Sequence, residues 1–177
     1  APVACFWTGP KVVPESVTVD HMAEVGERMG HRLLFWDNYP VNDLTMSDEM
    51  HIGPLTGRDP RLPERVHGHL ANPLLQEELS FIPLATCFDY ARDPKAYDPE
   101  TSWEAVVTER FGAAGLEHWR ALRLFCEKDA DTAGAATFSE PERAALAAAH
   151  GYLLAHRSEG WCRELEPWRE RLEHALR

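Results

Sequence analysis

Two short apolar stretches with a helical pattern between them constrain the fold of this chain more than any other feature. Val3–Trp7 and Arg32–Trp36 have the length and composition of buried strands. Between them, Thr18 can cap a helix that Gly30 would end. Because a strand–helix–strand unit joins strands that run in the same direction, the sequence predicts a parallel α/β sheet.

A third strand and a further helix follow a long loop that is rich in proline and glycine. The strand is predicted over Val66–Leu70 and the helix over Leu75–Tyr90. From residue 93 onward the patterns are helical only. We therefore expect two domains, an α/β unit over residues 1–92 and a helical domain over residues 93–177.

Helix starts and buried faces are predicted in this second half. Thr101 with Glu104, and Ser139 with Glu142, fit the capping-box pattern that marks the first turn of a helix. An apolar stripe near the end of the chain predicts one continuous last helix. The predicted core positions are Leu116, Trp119, Leu122 and Phe125 in one helix, and Trp161, Leu165, Trp168 and Leu172 in the last.

The charge balance and the hydropathy exclude several classes of partner. The formal net charge of the 177 residues is −11, whereas proteins that bind nucleic acids or anionic membranes present a basic face. No apolar run approaches the roughly 20 residues that a membrane-spanning helix needs. We therefore expect neither a nucleic-acid partner nor a membrane partner.

The cysteines indicate a reducing compartment. Cys5, Cys87, Cys126 and Cys162 lie far apart in apolar contexts, with no C-x-x-C spacing. This pattern favours buried free thiols, and we expect a cytoplasmic protein. The chain opens directly on a predicted strand, so we also expect the natural protein to extend further upstream.

Polar side chains follow each predicted strand at the point where the strand ends. Thr8 follows the first strand, Asp37, Asn38 and Asp43 follow the second, and Asn72 follows the third. Because the carboxyl ends of parallel strands meet at one edge, these groups should share one rim. Clustered hydroxyl, amide and carboxylate groups suit a neutral ligand that carries many hydroxyl groups.

Two aromatic residues beside these polar groups extend the prediction to a sugar ligand. Trp36 and Tyr39 offer flat apolar surface next to the hydrogen-bonding groups, and a sugar-binding pocket combines both kinds of surface. The alternative is structural: Asp37 and Asn38 would cap a turn, and Asp43 would be solvated. The residues by themselves leave both interpretations open.

Other candidate sites have less support. His67 and His69 would project from one face of a strand, as zinc ligands do, but no third ligand has a suitable spacing. The GPLTGR stretch lacks the lysine and serine that complete a phosphate-binding loop, so a tight turn explains it better. We therefore expect no metal ion and no cofactor.

Four short motifs occur in the order FWTGPKVV, WDNYPVND, GPLTGR and LANPL. In this order and at nearly this spacing they resemble the family 84 glycoside hydrolases, the protein O-GlcNAcases and their bacterial β-N-acetylglucosaminidase relatives. The similarity continues through IPLATCFDYARDPKAYDPETSWE. It implies an α/β fold made of the last three βα units of a TIM (β/α)8 barrel, followed by an all-α helical domain.

The resemblance also implies roles for individual residues. Asp43 would bind the outer hydroxyl groups of an N-acetylglucosamine unit, and Asn38 and Asn72 would line its pocket. Trp36 would wall the pocket, and Thr8 would stand at the end of the preceding strand. The implied substrate contains β-linked N-acetylglucosamine, and glycosylated protein is one such substrate.

The reaction that the resemblance implies is retaining hydrolysis, in which the substrate's own acetamido group is the nucleophile. The family's catalytic pair is two adjacent aspartates on a loop after an earlier strand, and no two aspartates are adjacent in these 177 residues. We therefore expect no catalytic residue here and reject Asp37 and Asp43 as acid and nucleophile. An N-terminal half of the barrel, in the same or another chain, would supply the pair. The alternative is a non-catalytic sugar-binding or scaffold protein derived from such an enzyme.

Overall fold

The computed structural model describes residues 3–132 and 136–177, and its first part is built on one parallel sheet. The strands pair side by side in sequence order, so the second strand lies in the middle. The predicted α/β fold with parallel strands is confirmed. The strands are β1 (Cys5–Trp7), β2 (Leu33–Pro40) and β3 (Val66–Asn72).

Helix α1 (Val19–Met29) connects β1 to β2, as the sequence predicts. The Thr18 hydroxyl accepts a hydrogen bond from the amide of His21 (3.3 Å). Gly30 ends the helix at φ +69°, which a residue without Cβ adopts without strain. Met22 is fully buried against the sheet, and burial of a side chain of this size contributes about 1.5–3 kcal/mol.

Strands β2 and β3 run further than their apolar patterns predict. β2 continues to Pro40 and β3 to Asn72, so Asp37, Asn38 and Tyr39 lie on the strand and not beyond it. The extension is made by backbone pairing between the two strands, which an apolar pattern does not report. It decides where each side chain points, because successive strand residues face opposite sides of a sheet.

The connection from β2 to β3 follows the carboxyl edge of the sheet. It contains two short 3₁₀ turns, Leu44–Met46 and Leu62–Glu64. An isolated parallel bridge between Val17 and Arg58 joins it to the loop that follows β1. The loops after β1 and β2 are therefore fastened to each other beside the strand ends.

Helices make up the regular structure after the sheet. The long helix bends at Gly112, whose φ of +75° interrupts the helical ladder. No helix in residues 3–132 and 136–177 combines the length and the apolar character needed to cross a membrane. The helices are α2 (Phe81–Arg92), α3 (Pro99–Asp131), α4 (Glu140–Ala155), α5 (Gly160–Glu164) and α6 (Glu166–Leu176).

Helix α2 begins at Phe81, and its predicted start at Leu75 is wrong. The stretch before it forms turns in which the amides of Glu78 and Leu79 donate to the carboxylate of Glu164 (3.1 and 3.0 Å). Glu164 lies more than 80 residues further along the chain. A distant side chain thus fixes the entry to α2, although the local apolar spacing is that of a helix.

Of the two predicted capping boxes, one is confirmed and one is wrong. Ser139 and Glu142 form the predicted box at the start of α4, where the Ser139 amide donates to the Glu142 carboxylate (2.8 Å). Helix α3 is capped by Asp98, whose carboxylate accepts from the Thr101 amide (2.8 Å). Pro99 then occupies the first turn, where its missing N–H costs nothing.

One hydrophobic core joins the loops of the sheet to the helices. It contains Met50 and Ile52 from the loop after β2 and Ile82 from α2. The buried indole N–H of Trp103 in α3 donates to the carbonyl of Ile52 (2.7 Å). The core continues across the predicted domain boundary at residue 92, and that boundary itself stays a prediction.

The predicted apolar stripe near the end of the chain is buried throughout, but it does not belong to one helix. Trp161 lies in α5, and Trp168 and Leu172 lie in α6. The helix is interrupted at Leu165, and Pro167 lies in the first turn of α6. Proline has no N–H to continue the preceding ladder, so the stripe is preserved while the helix is divided.

Candidate functional site

Three of the predicted site residues are joined by hydrogen bonds at the carboxyl edge of the sheet. The Asn38 side-chain oxygen accepts from the Trp36 indole N–H (2.9 Å) and from the Asn72 side-chain amide (3.1 Å). The Asn38 amide nitrogen donates in turn to the carbonyl of Val12 (2.8 Å). This network fixes three side chains from two strands relative to the loop after β1.

The network leaves polar groups available to a ligand. A side-chain amide has two N–H donors and one acceptor oxygen. Within the described part of the chain, the hydrogen bonds above use one donor of Asn38, its oxygen, and one donor of Asn72. One donor of Asn38 and both a donor and the oxygen of Asn72 stay unused, so the pair can bind hydroxyl or acetamido groups.

The Trp36 ring provides open apolar surface beside these amides. It is 39% exposed and meets the exposed Phe6 edge to face, with ring centroids 5.8 Å apart. Leu70 of β3 is also exposed and is paired in register with Trp36. This face of the sheet is therefore apolar near the middle of the strands and polar at their carboxyl ends.

Thr8 and Asp43 lie on the loops that border the network. The Thr8 hydroxyl donates to the carbonyl of Lys11 (2.9 Å), which shapes the loop that carries the Val12 carbonyl. Asp43 precedes the 3₁₀ turn at Leu44–Met46, is only partly buried, and makes no capping hydrogen bond to that turn. Its carboxylate is thus available for a ligand.

Tyr39 lies on the other side of the sheet from Trp36 and Asn38, so the structure does not bring it together with the network. Its hydroxyl donates to the carbonyl of Gly53 (2.7 Å), and its ring packs against the cluster formed by Leu55, Cys87 and Tyr90. Burial raises the pKa of Tyr39 above its ordinary value. Strand alternation turns Trp36 toward the open face, and Tyr39, in the irregular step of β2 between Asp37 and Pro40, lies half-buried on the opposite side.

Asp37 forms a buried ion cluster that the sequence did not reveal. It is fully buried, accepts from the Arg58 guanidinium (Nε–Oδ2, 2.8 Å), and contacts the His69 ring nitrogen (3.0 Å). Burial alone would raise the pKa of Asp37, but hydrogen bonds from Arg58 and His69 lower it below the ordinary 3.8. Arg58 also donates to the carbonyl of Thr56 (2.8 Å), so the cluster ties the loop after β2 to the sheet.

Asn42 is the second buried polar residue of this segment. Its amide nitrogen donates to the Glu49 carbonyl and to the Gln76 side-chain oxygen, both at 2.9 Å. Its oxygen accepts from the Leu75 amide (2.9 Å). Asn42 thus closes the loop that carries Asp43, and, like Asp37, it has a structural role.

The two histidines of β3 do not lie together. Strand β3 bulges at His67, because Leu33 pairs with Val66 while Leu34 pairs with Gly68. His67 is exposed, and His69 faces Asp37 in the interior. In residues 3–132 and 136–177, no group of three or more His, Cys, Asp or Glu side chains could hold a metal ion.

Known proteins match this chain over most of its length. A family model described as beta-N-acetylglucosaminidase matches residues 1–127. The Protein O-GlcNAcase of Rattus norvegicus and that of Mus musculus are each 32% identical to the chain over 84 residues. These residues make up 48% of this chain and 9% of each relative, so the chain spans less than a tenth of the length of those proteins.

Two solved structures resemble nearly the whole chain. A mutant of the O-GlcNAc hydrolase of Thermobaculum terrenum has a TM-score of 0.81 and 30% identity, over 97% of this chain and 42% of that one. CpGH84B has a TM-score of 0.72 at 22% identity, over 95% and 34%, and shows the likeness of fold. The family 84 resemblance of the sequence motifs is thereby confirmed. The chain belongs to the β-N-acetylglucosaminidase family, as an O-GlcNAcase-like member.

Proposed function

We propose that this chain forms the sugar-binding half of the active site of a β-N-acetylglucosaminidase. The observation that carries the proposal is the Trp36–Asn38–Asn72 network, with its unused amide groups, at the carboxyl edge of a parallel sheet. In β/α barrels this edge carries the active site. The sheet and the helix that follows it would be the last three βα units of such a barrel, with the remaining helices as a helical domain.

Each residue has a role that follows from its chemistry. Asp43 accepts hydrogen bonds from two outer hydroxyl groups of the sugar, because an ionised carboxylate has two acceptor oxygens. Asn38 and Asn72 offer donors and an acceptor to the ring substituents, and Trp36 covers an apolar face of the ring. Thr8 acts indirectly by shaping the loop whose Val12 carbonyl holds Asn38.

The reaction would be retaining hydrolysis of β-linked N-acetylglucosamine, with the substrate's acetamido group as nucleophile. The general acid and the residue that polarises the acetamido group would lie outside this chain, since it has no adjacent aspartates. The chain covers 42% of the solved O-GlcNAc hydrolase. The rest of that protein is long enough to contain an N-terminal half of a barrel. O-GlcNAc on protein is the first substrate class to test.

The test is to complete the barrel and measure turnover. We would join the chain, or mix it, with the N-terminal segment of the Thermobaculum terrenum hydrolase and assay an aryl β-N-acetylglucosaminide. The expected result is turnover that is lost when either adjacent aspartate of the added segment is replaced. Asn72→Ala should weaken inhibitor binding and catalysis together, without loss of the cooperative melt.

The alternative function is that of a non-catalytic sugar-binding or scaffold protein. It has the same apolar sheet face and the same polar edge in its favour, because neither feature requires chemistry. A completed, folded barrel that binds N-acetylglucosamine but does not hydrolyse the aryl glycoside would support this alternative and refute the enzyme.

A further inference from the structure

The loop that carries Asp43 lies at the surface between two buried ends. It leaves the interior at Asn42 and returns at Met50, which are 0% and 2% exposed. At its tip Leu44 is 87% exposed and has φ +52°, a conformation that residues with a Cβ rarely adopt. A strained turn of this kind persists only where the surroundings hold the backbone in place.

Helix α6 supplies such a hold from the other end of the sequence. The carbonyl oxygen of Asp48 accepts hydrogen bonds from the Trp168 indole N–H (3.1 Å) and from Nη1 of Arg171 (2.7 Å). The donors lie 120 and 123 residues further along the chain. Asp48 stands five positions after Asp43 in the same loop, so the contact fixes the far side of the loop.

The two donors are themselves held firmly. Trp168 is buried in the core that joins the helices to the loops of the sheet. Arg171 forms an ion pair with Asp129, a buried residue of α3. Because an arginine that is paired in this way has already lost much of its rotamer freedom, its remaining N–H groups are preorganised for the Asp48 carbonyl.

We propose that Trp168 and Arg171 are positioning residues, which hold the Asp43 loop in the conformation that binds the sugar. The inference rests on the proposed function of Asp43 and adds that the helical part of the chain sets the affinity of the site. A carboxylate that is held in place before binding loses less conformational entropy when it grips two hydroxyl groups. Loss of the hold weakens sugar binding without removing any group that touches the sugar.

The first experiment measures amide hydrogen exchange in the full chain, without ligand. The Met46 amide donates to the Asp43 carbonyl (3.0 Å) and the Glu49 amide to the Met46 carbonyl (2.8 Å), so both report on the loop. Arg171→Met also leaves the buried Asp129 carboxylate without its counter-charge, which lowers the global stability and speeds exchange everywhere. The loop amides should speed about tenfold more than the β2 amides, because only the loop also loses its hold. The matched control is Arg169→Met on the same helix, whose guanidinium pairs with α6 carboxylates and should leave the loop unchanged.

The second experiment measures kinetics in the completed enzyme. Arg171→Met should lower kcat/KM about tenfold, mainly by raising KM, which corresponds to about 1.4 kcal/mol. Arg171→Lys should restore part of the loss, and Trp168→Phe should act in the same direction as Arg171→Met. In an Asp43→Ala background, Arg171→Met should have little further effect, since its influence passes through Asp43.

The outcomes separate the two proposals. Loop amides that exchange equally in Arg171→Met and Arg169→Met would overturn the positioning role, as would an equal kinetic loss with and without Asp43. A completed, folded enzyme that shows no turnover would overturn the proposed function. The exchange experiment needs no substrate, so it would still decide whether Trp168 and Arg171 hold the loop.

Discussion

Adjacent residues on β2 have opposite tasks, because a strand directs successive side chains to opposite faces. Asn38 faces the open side of the sheet and joins the network with Trp36 and Asn72. Asp37, one position earlier, is fully buried beside Arg58 on the helix side. A proposed sugar-binding group and a structural ion pair are thus neighbours on the strand, and similar substitutions at the two positions should have different effects.

Asp43→Asn should lower kcat/KM of the completed enzyme about ten- to a hundredfold while the protein stays folded. The change keeps the shape of the side chain but removes its charge and turns one acceptor into a donor. Hydrogen bonds to charged groups contribute about 1.5–3 kcal/mol, and about 1.4 kcal/mol corresponds to tenfold. A deoxy substrate that lacks the gripped hydroxyl groups provides the control, since it should be poor for both proteins. Normal kinetics in Asp43→Asn would show that the role is misassigned.

Asp37→Asn should instead destabilise the chain, by about 3–5 kcal/mol, because it leaves the buried Arg58 guanidinium without its counter-charge. The pKa of Asp37 lies below 3.8 in the folded chain, so its contribution is fully present above about pH 4. It is lost as the pH falls through the lower folded-state pKa. Urea unfolding of both proteins, at pH 7 and at a series of lower pH values, would measure this. The difference in their free energies of unfolding should narrow only in acid. A difference in free energy of unfolding that widened in acid would contradict this prediction.

At the scale of elements, contacts from far along the chain decide the entry to α2 and hold the loop after β2. Glu164 fixes the entry to α2, and Trp168 with Arg171 holds the loop after β2. The start of α3 is settled locally by Asp98 and Pro99, as the starts of α1 and α4 are by their own caps. Because the observed cap of α3 differs from the one that the sequence predicts, this boundary is well suited to a direct test.

Asp98→Ala should lower the urea midpoint of unfolding, whereas Thr101→Ala should leave it unchanged or raise it slightly. The Asp98 carboxylate accepts from the Thr101 amide (2.8 Å) and is the observed cap. The Thr101 side chain lies inside the helix, where alanine is favoured over threonine. Destabilisation by Thr101→Ala with no effect of Asp98→Ala would instead support the capping box that the sequence alone predicts.

The sequence predicted those features whose causes lie within a few neighbouring residues. Thr18 and Gly30 bound α1 as predicted, because a cap and a left-handed stop are local properties. The partner of Asp37 was not predictable in this way, since Arg58 lies 21 positions away in a loop without periodicity. The side of the sheet on which Tyr39 lies was not predictable for a related reason: it depends on the length of β2, which pairing with β3 extends.

Part of the candidate site was also predictable from the sequence. Motif resemblance indicated Trp36, Asn38 and Asn72, and the structure joins these three by hydrogen bonds. Asp48 gave no signal, because its part in the structure is played by its backbone carbonyl. Whether the site binds sugar stays a prediction.

At the scale of the whole molecule, the sheet has one covered and one open face. The helix side is closed by α1 and by the buried cluster around Phe35, whereas Phe6, Trp36 and Leu70 are exposed on the other side. Monomeric proteins rarely expose contiguous apolar surface of this kind without a partner. The open face is what a barrel-completing segment would cover in the proposed enzyme.

The chain alone should not hydrolyse an aryl β-N-acetylglucosaminide. It has no pair of adjacent aspartates, and a general acid alone is worth about 10²–10⁴-fold in rate. A fluorogenic assay on the chain, purified free of other polypeptides, would measure this, with the completed enzyme as the positive control. Inhibitor-sensitive turnover by the chain alone would show that its catalytic residues lie within it.

The contact between α6 and the Asp48 carbonyl has a consequence for which substitutions this chain can accept. A backbone oxygen is present whichever amino acid occupies position 48, so that position can drift freely while the contact survives. An alanine scan of the loop would therefore not detect this contact. Constraint on the amino-acid type would lie instead at the donors Trp168 and Arg171, and at Asp129, which pairs with Arg171. In the proposed enzyme, substitutions in the helices could therefore tune substrate affinity while every side chain proposed to contact the sugar stays the same.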